Sequence, residues 1–172
     1  MLDSRSKAYN IQSVGFLLVD DNEFMRSVVR SVLKVWGCRN VAEARDGDEA
    51  LKRLHVFPAD VIIADWEMAP MDGIEFTRRV RNDPKSPDRF VPIIMLTGHT
   101  AGERVRTARD AGVHTFVAKP VQPRVLYERL CELIERPRKF ISCETYCGPD
   151  RGRRKSHNYD GPERRQKPRD YS

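Results

Sequence analysis

The sequence predicts an α/β protein: a doubly wound, five-stranded parallel sheet with five helices packed on its two faces. Two observations support this prediction. Short apolar segments of strand length alternate five times with longer segments whose apolar residues recur at helical spacing. The strand segments are almost continuously apolar. This is typical of parallel strands buried on both faces, whereas an antiparallel sheet with one solvent-exposed face has alternating polar residues.

The first two strand–helix pairs occupy the first third of the chain. Residues 13–20 (SVGFLLVD) form an apolar run that ends in acid, as expected of a first strand. A helical face over 22–36 follows, with an asparagine placed to cap its start and a glycine after its end. Residues 40–45 predict a modest second strand. An Asp-Gly turn then begins a second helix, which the proline at position 58 stops.

Three further pairs complete the predicted domain. Residues 61–65 (VIIAD) are the third strand, and Asp72 caps a helix that ends before the prolines at positions 84 and 87. The remaining elements are, in order, a strand at 91–97, a thinly apolar helix at 101–111, a strand at 113–119 and an amphipathic helix at 121–135.

Charge divides the chain into a neutral body and a basic tail. Residues 136–172 hold 11 Lys and Arg against 5 Asp and Glu, of 31 and 25 in the whole chain, so the preceding residues hold 20 of each. The predicted division is an N-terminal extension over 1–12, one domain over 13–135 and the tail over 136–172. The tail is too short, and too poor in apolar periodicity, for a helix-turn-helix or winged-helix domain.

The tail contains an internal repeat. YCGPDRGRRK from Tyr146 matches YDGPERRQK from Tyr159, with Tyr, Gly, Pro, an acid and Arg aligned at an offset of 13 positions. We call residues 146–151 and 159–164 the first and second copies of the Tyr-Gly-Pro motif. Two interpretations stay open: a solvated, disordered tail, or a docking element used twice, which could lie back on the preceding domain. The positive charge would also permit weak, salt-sensitive binding to nucleic acid or to an acidic protein.

Composition argues against several classes of protein. No apolar run approaches the roughly 20 residues that a membrane-spanning helix requires, and the first ten residues lack the apolar core of a secretory signal. We therefore expect a cytoplasmic protein that does not act at a membrane. The four cysteines form no CxxC pair. Cys143 and Cys147 lie near His157, but no fourth zinc ligand stands at a plausible spacing, so reduced thiols are expected.

Four of the five predicted strands end in polar residues. The first strand ends at Asp20 and Asp21, the third strand at Asp65, the fourth strand at Thr97 and the fifth strand at Lys119. The carboxyl ends of parallel strands meet at one edge of the sheet, where such folds place their functional residues. Three carboxylates in one cleft would repel one another. A divalent cation such as Mg²⁺, which prefers oxygen ligands, and the lysine ammonium would relieve that repulsion.

This set predicts a phosphoryl acceptor site. A carboxylate can attack phosphorus and form an aspartyl-phosphate, a reaction that needs positioning and charge neutralisation more than proton transfer. Asp65 is the expected nucleophile, with Mg²⁺ held by Asp65 and Asp21 and with Asp20 holding metal-bound water. Lys119 would neutralise one phosphoryl oxygen, and the Thr97 hydroxyl could donate to another. Taken singly, each residue could instead be a helix cap or a turn residue; their joint placement favours function.

Four segments carry a resemblance to a known family: LLVDDNEFMR, DWEMAPMDG, IIMLTG and FVAKP, in that order. With these motifs the chain resembles, over about residues 13–135, the receiver domain of two-component response regulators, a CheY-like fold related to that of flavodoxin. The resemblance implies the strand order 2-1-3-4-5, a Mg²⁺ cofactor, and phosphorylation of Asp65 by a histidine kinase or a histidine phosphotransfer protein.

The resemblance also implies roles for individual residues. The metal ligands would be Asp20, Asp21, Asp65 and the backbone carbonyl of Glu67. Thr97 would be the switch hydroxyl, and Lys119 would precede a cis peptide bond to Pro120. Phe116 occupies the switch aromatic position. Because Phe116 lacks a hydroxyl, we expect it to turn inward more often than a tyrosine would.

One departure from the family pattern affects the loop beside the metal. The usual Met-Pro-x-Met-Asp-Gly reads here as MAPMDG over 68–73, with the proline one place late. The conformation of this loop is therefore left open. The Glu67 side chain would lie near the cleft, where its charge could alter the lifetime of the phosphoryl group in either direction.

Three functions compete on the sequence alone. The first is a single-domain response regulator that signals to a downstream protein by a conformational switch and is not a turnover enzyme on an external substrate. The second is a phosphorylation-switched regulator that binds nucleic acid through its basic tail. The third is a metal-dependent phosphohydrolase, for which the sequence offers no evident substrate pocket. The residue pattern favours the first.

Overall fold

The computed structural model describes residues 10–98, 102–143 and 145–150. Its first strands are β1 (Phe16–Val19), β2 (Val41–Ala44), β3 (Val61–Asp65), β4 (Ile93–Thr97) and β5 (Thr115–Ala118). The helices between and after them are α1 (Glu23–Val35), α2 (Gly47–Val56), α3 (Gly73–Asn82), α4 (Gly102–Ala111) and α5 (Pro123–Glu135). Two further strands follow, β6 (Phe140–Cys143) and β7 (Tyr146–Pro149).

Strands β1 to β5 form one parallel sheet in the order β2-β1-β3-β4-β5. Pairing keeps the strand ends level, since Val19 pairs with Ala44 and Ala64, and Thr97 pairs with Ala118. The carboxyl ends of the five strands therefore lie along one edge of the sheet. The α/β fold class and the strand order expected from the sequence are both confirmed.

Helices cover both faces of this sheet. Successive residues of β1 alternate between two core clusters: Leu17 and Val19 belong to one, and Phe16 and Leu18 belong to the other. The first cluster includes buried residues of α2, α3 and α4, and the second includes buried residues of α1 and α5. A strand buried on both faces needs an apolar residue at every position, which explains the uninterrupted apolar runs. Within the described ranges, no helix has the length and apolar character needed to cross a membrane.

Side-chain caps set the starts of the first three helices. The side-chain oxygens of Asn22, Asp46 and Asp72 accept hydrogen bonds from backbone N–H groups in the first turns of α1, α2 and α3, at 2.7–3.3 Å. Gly37 follows α1 with a φ of 83°, a conformation that glycine adopts without steric cost. The three capping residues lie where the sequence predicted helices to start, and Gly37 lies where it predicted the first helix to end.

Strands β6 and β7 form an antiparallel hairpin in which Cys143 pairs with Tyr146. β7 packs against α3 and α4, and residues 147–149 are buried. The Tyr-x-Gly-Pro part of the first copy is therefore folded onto the domain. The solvated-tail interpretation is wrong for this stretch, and the docking interpretation is supported for it. The second copy, residues 159–164, lies outside the described residues.

A buried guanidinium lies beneath this hairpin. Arg81 of α3 is fully buried and donates hydrogen bonds to the backbone carbonyls of Arg89, Val91 and Gly112 at 2.8–3.1 Å. The Phe140 ring of β6 covers it, with the ring centroid 5.1 Å from the guanidinium carbon. Burial lowers the pKa of Arg81 because it disfavours the charged form. The hydrogen bonds to carbonyl oxygens offset part of that desolvation cost.

His114 belongs to the same cluster and gives the fold a pH-dependent stability. Its Nδ1 accepts a hydrogen bond from the Ile93 N–H at 3.2 Å. Burial first, and then the charges of Arg81 and Arg138, lower the pKa of His114 well below its usual 6.5. The unfolded chain therefore takes up a proton before the folded chain does. We expect the stability to be complete above pH 6.5 and to fall below it, by up to about 1.4 kcal/mol per pH unit.

Urea unfolding at a series of pH values from about 7.5 to about 5 tests this prediction. His114→Asn is the matched variant, because asparagine can still accept the Ile93 hydrogen bond but does not titrate. The variant should lose less stability on acidification than the wild-type chain. Identical pH dependence in the two chains would contradict the assignment of this effect to His114.

Candidate phosphoryl acceptor site

Three carboxylates meet at the carboxyl edge of the sheet. Asp20 and Asp21 follow β1, and Asp65 ends the neighbouring strand β3. One carboxylate oxygen from each residue lies within 4.8 Å of the other two. Asp20 and Asp65 are buried, and Asp21 is exposed. The structure thus brings together the three acidic residues that the sequence placed at strand ends.

One ammonium group balances part of this negative charge. Lys119 follows β5, and its Nζ lies 2.8 Å from Asp65 Oδ1 and 3.8 Å from Asp20 Oδ2. The Lys119 backbone N–H donates to the Thr97 carbonyl at 2.8 Å, which ties the lysine to the end of β4. One ammonium facing three carboxylates leaves the cleft with an excess of negative charge when the acids are ionised.

The donor set fits a hard divalent cation. Asp20 Oδ1 accepts a hydrogen bond from the Asn22 N–H at 2.8 Å, whereas Asp20 Oδ2 is buried without a hydrogen-bond partner among the described residues. Burial raises the pKa of Asp20; the Asn22 hydrogen bond opposes this rise, and the charge of Asp65 adds to it. A cation would satisfy the buried oxygen and stabilise the ionised carboxylate. Mg²⁺ binds carboxylate oxygens in this way.

The loop after β3 is tied to the acidic cluster by its backbone. The Ala69 N–H donates to Asp21 Oδ2 at 3.3 Å, and the Gly73 N–H donates to the Trp66 carbonyl at 2.9 Å. The loop therefore contacts the cleft even though its proline, Pro70, stands one place later than in the family pattern. The cis peptide bonds of the described residues are Ala69–Pro70 and Lys119–Pro120, of which the resemblance implied the second.

Gly73 allows α3 to begin directly against the end of β3. A Cβ at this position would clash with the Asp65 carbonyl oxygen and would lie 2.7 Å from Met95 Sδ. We expect Gly73→Ala to destabilise the fold by about 1–3 kcal/mol through overpacking. Gly102→Ala is the matched control, because a Cβ at Gly102 meets no atom of the described residues within 4 Å.

Urea unfolding of the two alanine variants measures this difference. The Gly102→Ala chain should match or exceed the wild-type stability, since alanine is the better helix former. A Gly73→Ala chain as stable as the Gly102→Ala chain would show that α3 does not depend on close contact with β3.

The Glu67 side chain contacts α4. Its carboxylate lies 3.0 Å from Arg104 Nη1 at the exposed rim of the site. The Arg104 guanidinium carbon also lies 5.6 Å from the centroid of the Trp66 ring. These contacts connect the residues directly after Asp65 to the helix that follows β4. No pattern in the sequence pointed to Arg104, because α4 has few large apolar residues and no motif includes this position.

The two predicted switch residues lie on neighbouring strands. Thr97 is buried at the end of β4, and Phe116 in β5 is half-buried against the core cluster that α2, α3 and α4 cover. Thr97 pairs with Ala118, two residues beyond Phe116. Because side chains alternate along a strand, Phe116 and Thr97 lie on the same face of the sheet.

Known proteins are similar to the body of this chain. The family described as "Response regulator receiver domain" matches residues 16–131. The chemotaxis protein CheY of Pseudomonas aeruginosa is 37% identical over 120 residues, which cover 70% of this chain and 95% of that protein. The chemotaxis protein CheY1 of Helicobacter pylori is 37% identical over 115 residues, covering 66% of this chain and 91% of that protein.

Solved structures are also similar to this chain. The chemotaxis protein CheY4 of Vibrio cholerae superposes with a TM-score of 0.64 at 34% identity, covering 69% of this chain and 97% of that one. A response regulator from Chloroflexus aurantiacus, described as putative, has a TM-score of 0.64 at 29% identity, covering 72% of this chain and 99% of that one. The hairpin formed by residues 140–149 lies beyond the family match, which ends at residue 131.

Proposed function

This chain belongs to the response regulator receiver domain family, and from this premise we propose that it accepts a phosphoryl group on Asp65 and signals by a conformational switch. The observation that carries the proposal is the cluster of Asp20, Asp21 and Asp65 beside the Lys119 ammonium. The phosphoryl donor would be a histidine kinase or a histidine phosphotransfer protein. The recipient of the signal would be a downstream protein.

Asp65 would supply the attacking oxygen. A bond forms between its carboxylate oxygen and phosphorus while the bond from phosphorus to the donor nitrogen breaks, and the electron pair leaves with the donor imidazole. Burial at the end of β3 fixes the carboxylate in one position, which in-line attack requires. Lys119 Nζ, 2.8 Å from Asp65 Oδ1, neutralises charge as it builds on the phosphoryl oxygens.

The metal ligands would be Asp20, Asp21, Asp65 and the backbone carbonyl of Glu67. When bound, Mg²⁺ supplies the positive charge that allows a phosphate group to approach several carboxylates. The chain's own contribution is to orient the ligands before the donor arrives. The Asn22 N–H holds Asp20, and the Ala69 N–H holds Asp21, through the hydrogen bonds described above.

The signal would leave the site through Thr97 and Phe116. A phosphoryl group on Asp65 offers an acceptor for the Thr97 hydroxyl, and movement of Thr97 would free space for Phe116 on the same face of the sheet. This is a shift in population between two states, biased by a local change of charge. The chain would modify only its own carboxylate, so turnover of an external substrate is not part of the proposal.

The nucleic-acid alternative depends on the charge of residues 136–172, most of which lie outside the described residues. It stays a prediction, as does the phosphohydrolase alternative. No contact within the described ranges favours either of them over phosphoryl acceptance by Asp65.

Incubation of the purified chain with acetyl phosphate tests the proposal. Intact-mass analysis should show a gain of one phosphoryl group that requires Mg²⁺ and disappears when EDTA is present. Asp65→Asn should abolish the gain. Asp72→Asn is the matched control and should retain it, because asparagine caps a helix as well as aspartate does. Metal-independent labelling, or labelling that survives Asp65→Asn, would count against the proposal.

A further inference from the structure

Three of the positions that the two copies share, Tyr146, Gly148 and Pro149, lie in the folded part of the first motif copy. The Tyr146 hydroxyl donates to the Pro149 carbonyl at 2.7 Å and to the Arg109 carbonyl of α4 at 3.4 Å. A Cβ at Gly148 would lie 2.8 Å from the Gly112 Cα, so the two backbones meet only because this residue is glycine. Pro149 is buried. The Tyr, Gly and Pro that the two copies share thus fit β7 onto the domain.

The receiving surface is built from the ends of α3 and α4. Gly112 directly follows α4 and has a φ of 102°. A Cβ there would lie 2.7 Å from the Cys147 carbonyl oxygen and 3.0 Å from Arg81 Cγ. We call Arg81, Arg109 and Gly112 the motif-binding site. It contacts the first copy by close backbone approach and by one hydrogen bond, from the Tyr146 hydroxyl to the Arg109 carbonyl, as a site for a short peptide would.

The residue between Tyr and Gly differs between the copies. In the first copy it is Cys147, which is buried, has its carbonyl oxygen against Gly112, and lies close enough to Arg81 to interact with the guanidinium charge. In the second copy, 13 positions later, it is Asp160. Within the part of the chain that the structure describes, no carboxylate forms an ion pair with the buried Arg81 guanidinium. An aspartate in the place of Cys147 would supply a counter-charge to Arg81, and the attraction between the two charges is stronger in a buried site than in water.

We propose that the motif-binding site is a peptide-binding site with two alternative ligands in the same chain, the Tyr-Cys-Gly-Pro of the first copy and the Tyr-Asp-Gly-Pro of residues 159–162. Both copies are tethered to α5, so each has a high effective concentration at the site. The added 13 residues of connection raise the loop-closure cost only slightly. The two copies therefore compete for one surface, and binding of either one displaces the other.

Opposing contacts set the balance between the two ligands. The first copy brings Phe140 over Arg81. The residue at the same offset from the second copy is Arg153, which cannot reproduce that contact and carries a like charge. The second copy replaces the Phe140 contact with the Asp160 carboxylate. With the first copy bound, as observed, Cys147 is only 4% exposed, and the exchange would expose it.

Alkylation of Cys147 in the full chain reports this exchange. The probe is a synthetic peptide of residues 155–167, KSHNYDGPERRQK, which contains no cysteine. We expect it to raise the alkylation rate of Cys147 in a saturable way while buried Cys38 stays protected. The same peptide with Gly161→Val is the matched control and should have no effect. The Asp160→Asn peptide should bind roughly tenfold more weakly, since it lacks the charge that pairs with Arg81.

Variants of the chain itself test the exchange in cis. Gly148→Val blocks the first copy and should expose Cys147, whereas Gly161→Val blocks the second copy and should slow Cys147 alkylation below the wild-type rate. Two results would overturn the peptide-binding site. In the first, the wild-type peptide leaves the alkylation rate of Cys147 unchanged; in the second, the wild-type and Gly161→Val peptides raise that rate equally. A Gly161→Val chain that reacts at the wild-type rate would overturn the exchange.

Discussion

Replacement of Asp21 by alanine should weaken Mg²⁺ binding by more than about 100-fold, because even residues that only support a metal ligand contribute roughly 10–100-fold. Asp21 is the exposed member of the acidic cluster, and its Oδ2 is held by the Ala69 N–H at 3.3 Å. Removal of its carboxylate leaves the charges of Asp20 and Asp65 in place but takes away one of the three carboxylate ligands of the cation. Phosphorylation by acetyl phosphate should fall in parallel, since it depends on the same cation.

Fluorescence of Trp66, which directly follows Asp65, measures the metal affinity. Trp36→Phe removes the second tryptophan, which packs against Tyr127 on another part of the domain. Glu132→Gln is the control for loss of one carboxylate, because Glu132 pairs with Arg129 on α5. The control should titrate like the parent chain. An Asp21→Ala chain that bound Mg²⁺ as tightly as the control would remove Asp21 from the site.

Replacement of Lys119 by methionine should separate metal binding from phosphoryl transfer. The phosphorylation rate should fall by about 10²–10³, the usual cost of removing one group that stabilises a developing oxyanion. The Mg²⁺ affinity should rise, because a competing ammonium 2.8 Å from Asp65 Oδ1 is lost and the carboxylates attract a cation more strongly. The variant thus changes two properties in opposite directions.

Metal titration and acetyl phosphate labelling of the same Lys119→Met preparation measure both effects. Lys52→Met, on the exposed face of α2, is the control for loss of one surface ammonium and should alter neither property. A chain that has merely lost its fold would show weaker metal binding and slower labelling together. That joint loss, or an unchanged labelling rate, would contradict the role of Lys119.

The sheet and its acidic edge could be predicted because they depend on local patterns. Runs such as VIIAD are apolar at every position, and only a strand covered on both faces requires this. Once the strands were known to be parallel, their carboxyl ends had to share an edge. Asp20, Asp65 and Lys119 could therefore be placed together without any knowledge of their distances.

Contacts between distant elements could not be predicted in this way. Arg104 meets Glu67 through the position of α4, and α4 has too few large apolar residues to indicate which of its faces is buried. Arg81 occupies a helix position four residues after Thr77, on the buried face of α3. From its residue type alone, an arginine is expected to be exposed. Arg81 is buried because the fold brings carbonyl groups and the hairpin next to its guanidinium.

The hairpin shows why the tail was harder to interpret than the body. Its ten residues are too few to form a core, and the surrounding charge is typical of a solvated segment. It packs on a surface formed by α3 and α4, with two glycines allowing close contact. The internal repeat was the one sequence signal of this docking, because it marked the residues that make the contacts.

Localisation of the phosphoryl group shows directly whether Asp65 is the acceptor. The chain is incubated with Mg²⁺ and acetyl phosphate, reduced with borohydride to convert an aspartyl-phosphate to homoserine, and mapped by mass spectrometry. We expect homoserine at position 65 alone, and only in samples that contained Mg²⁺. Conversion at Asp20, Asp21 or any other carboxylate in place of Asp65 would contradict it.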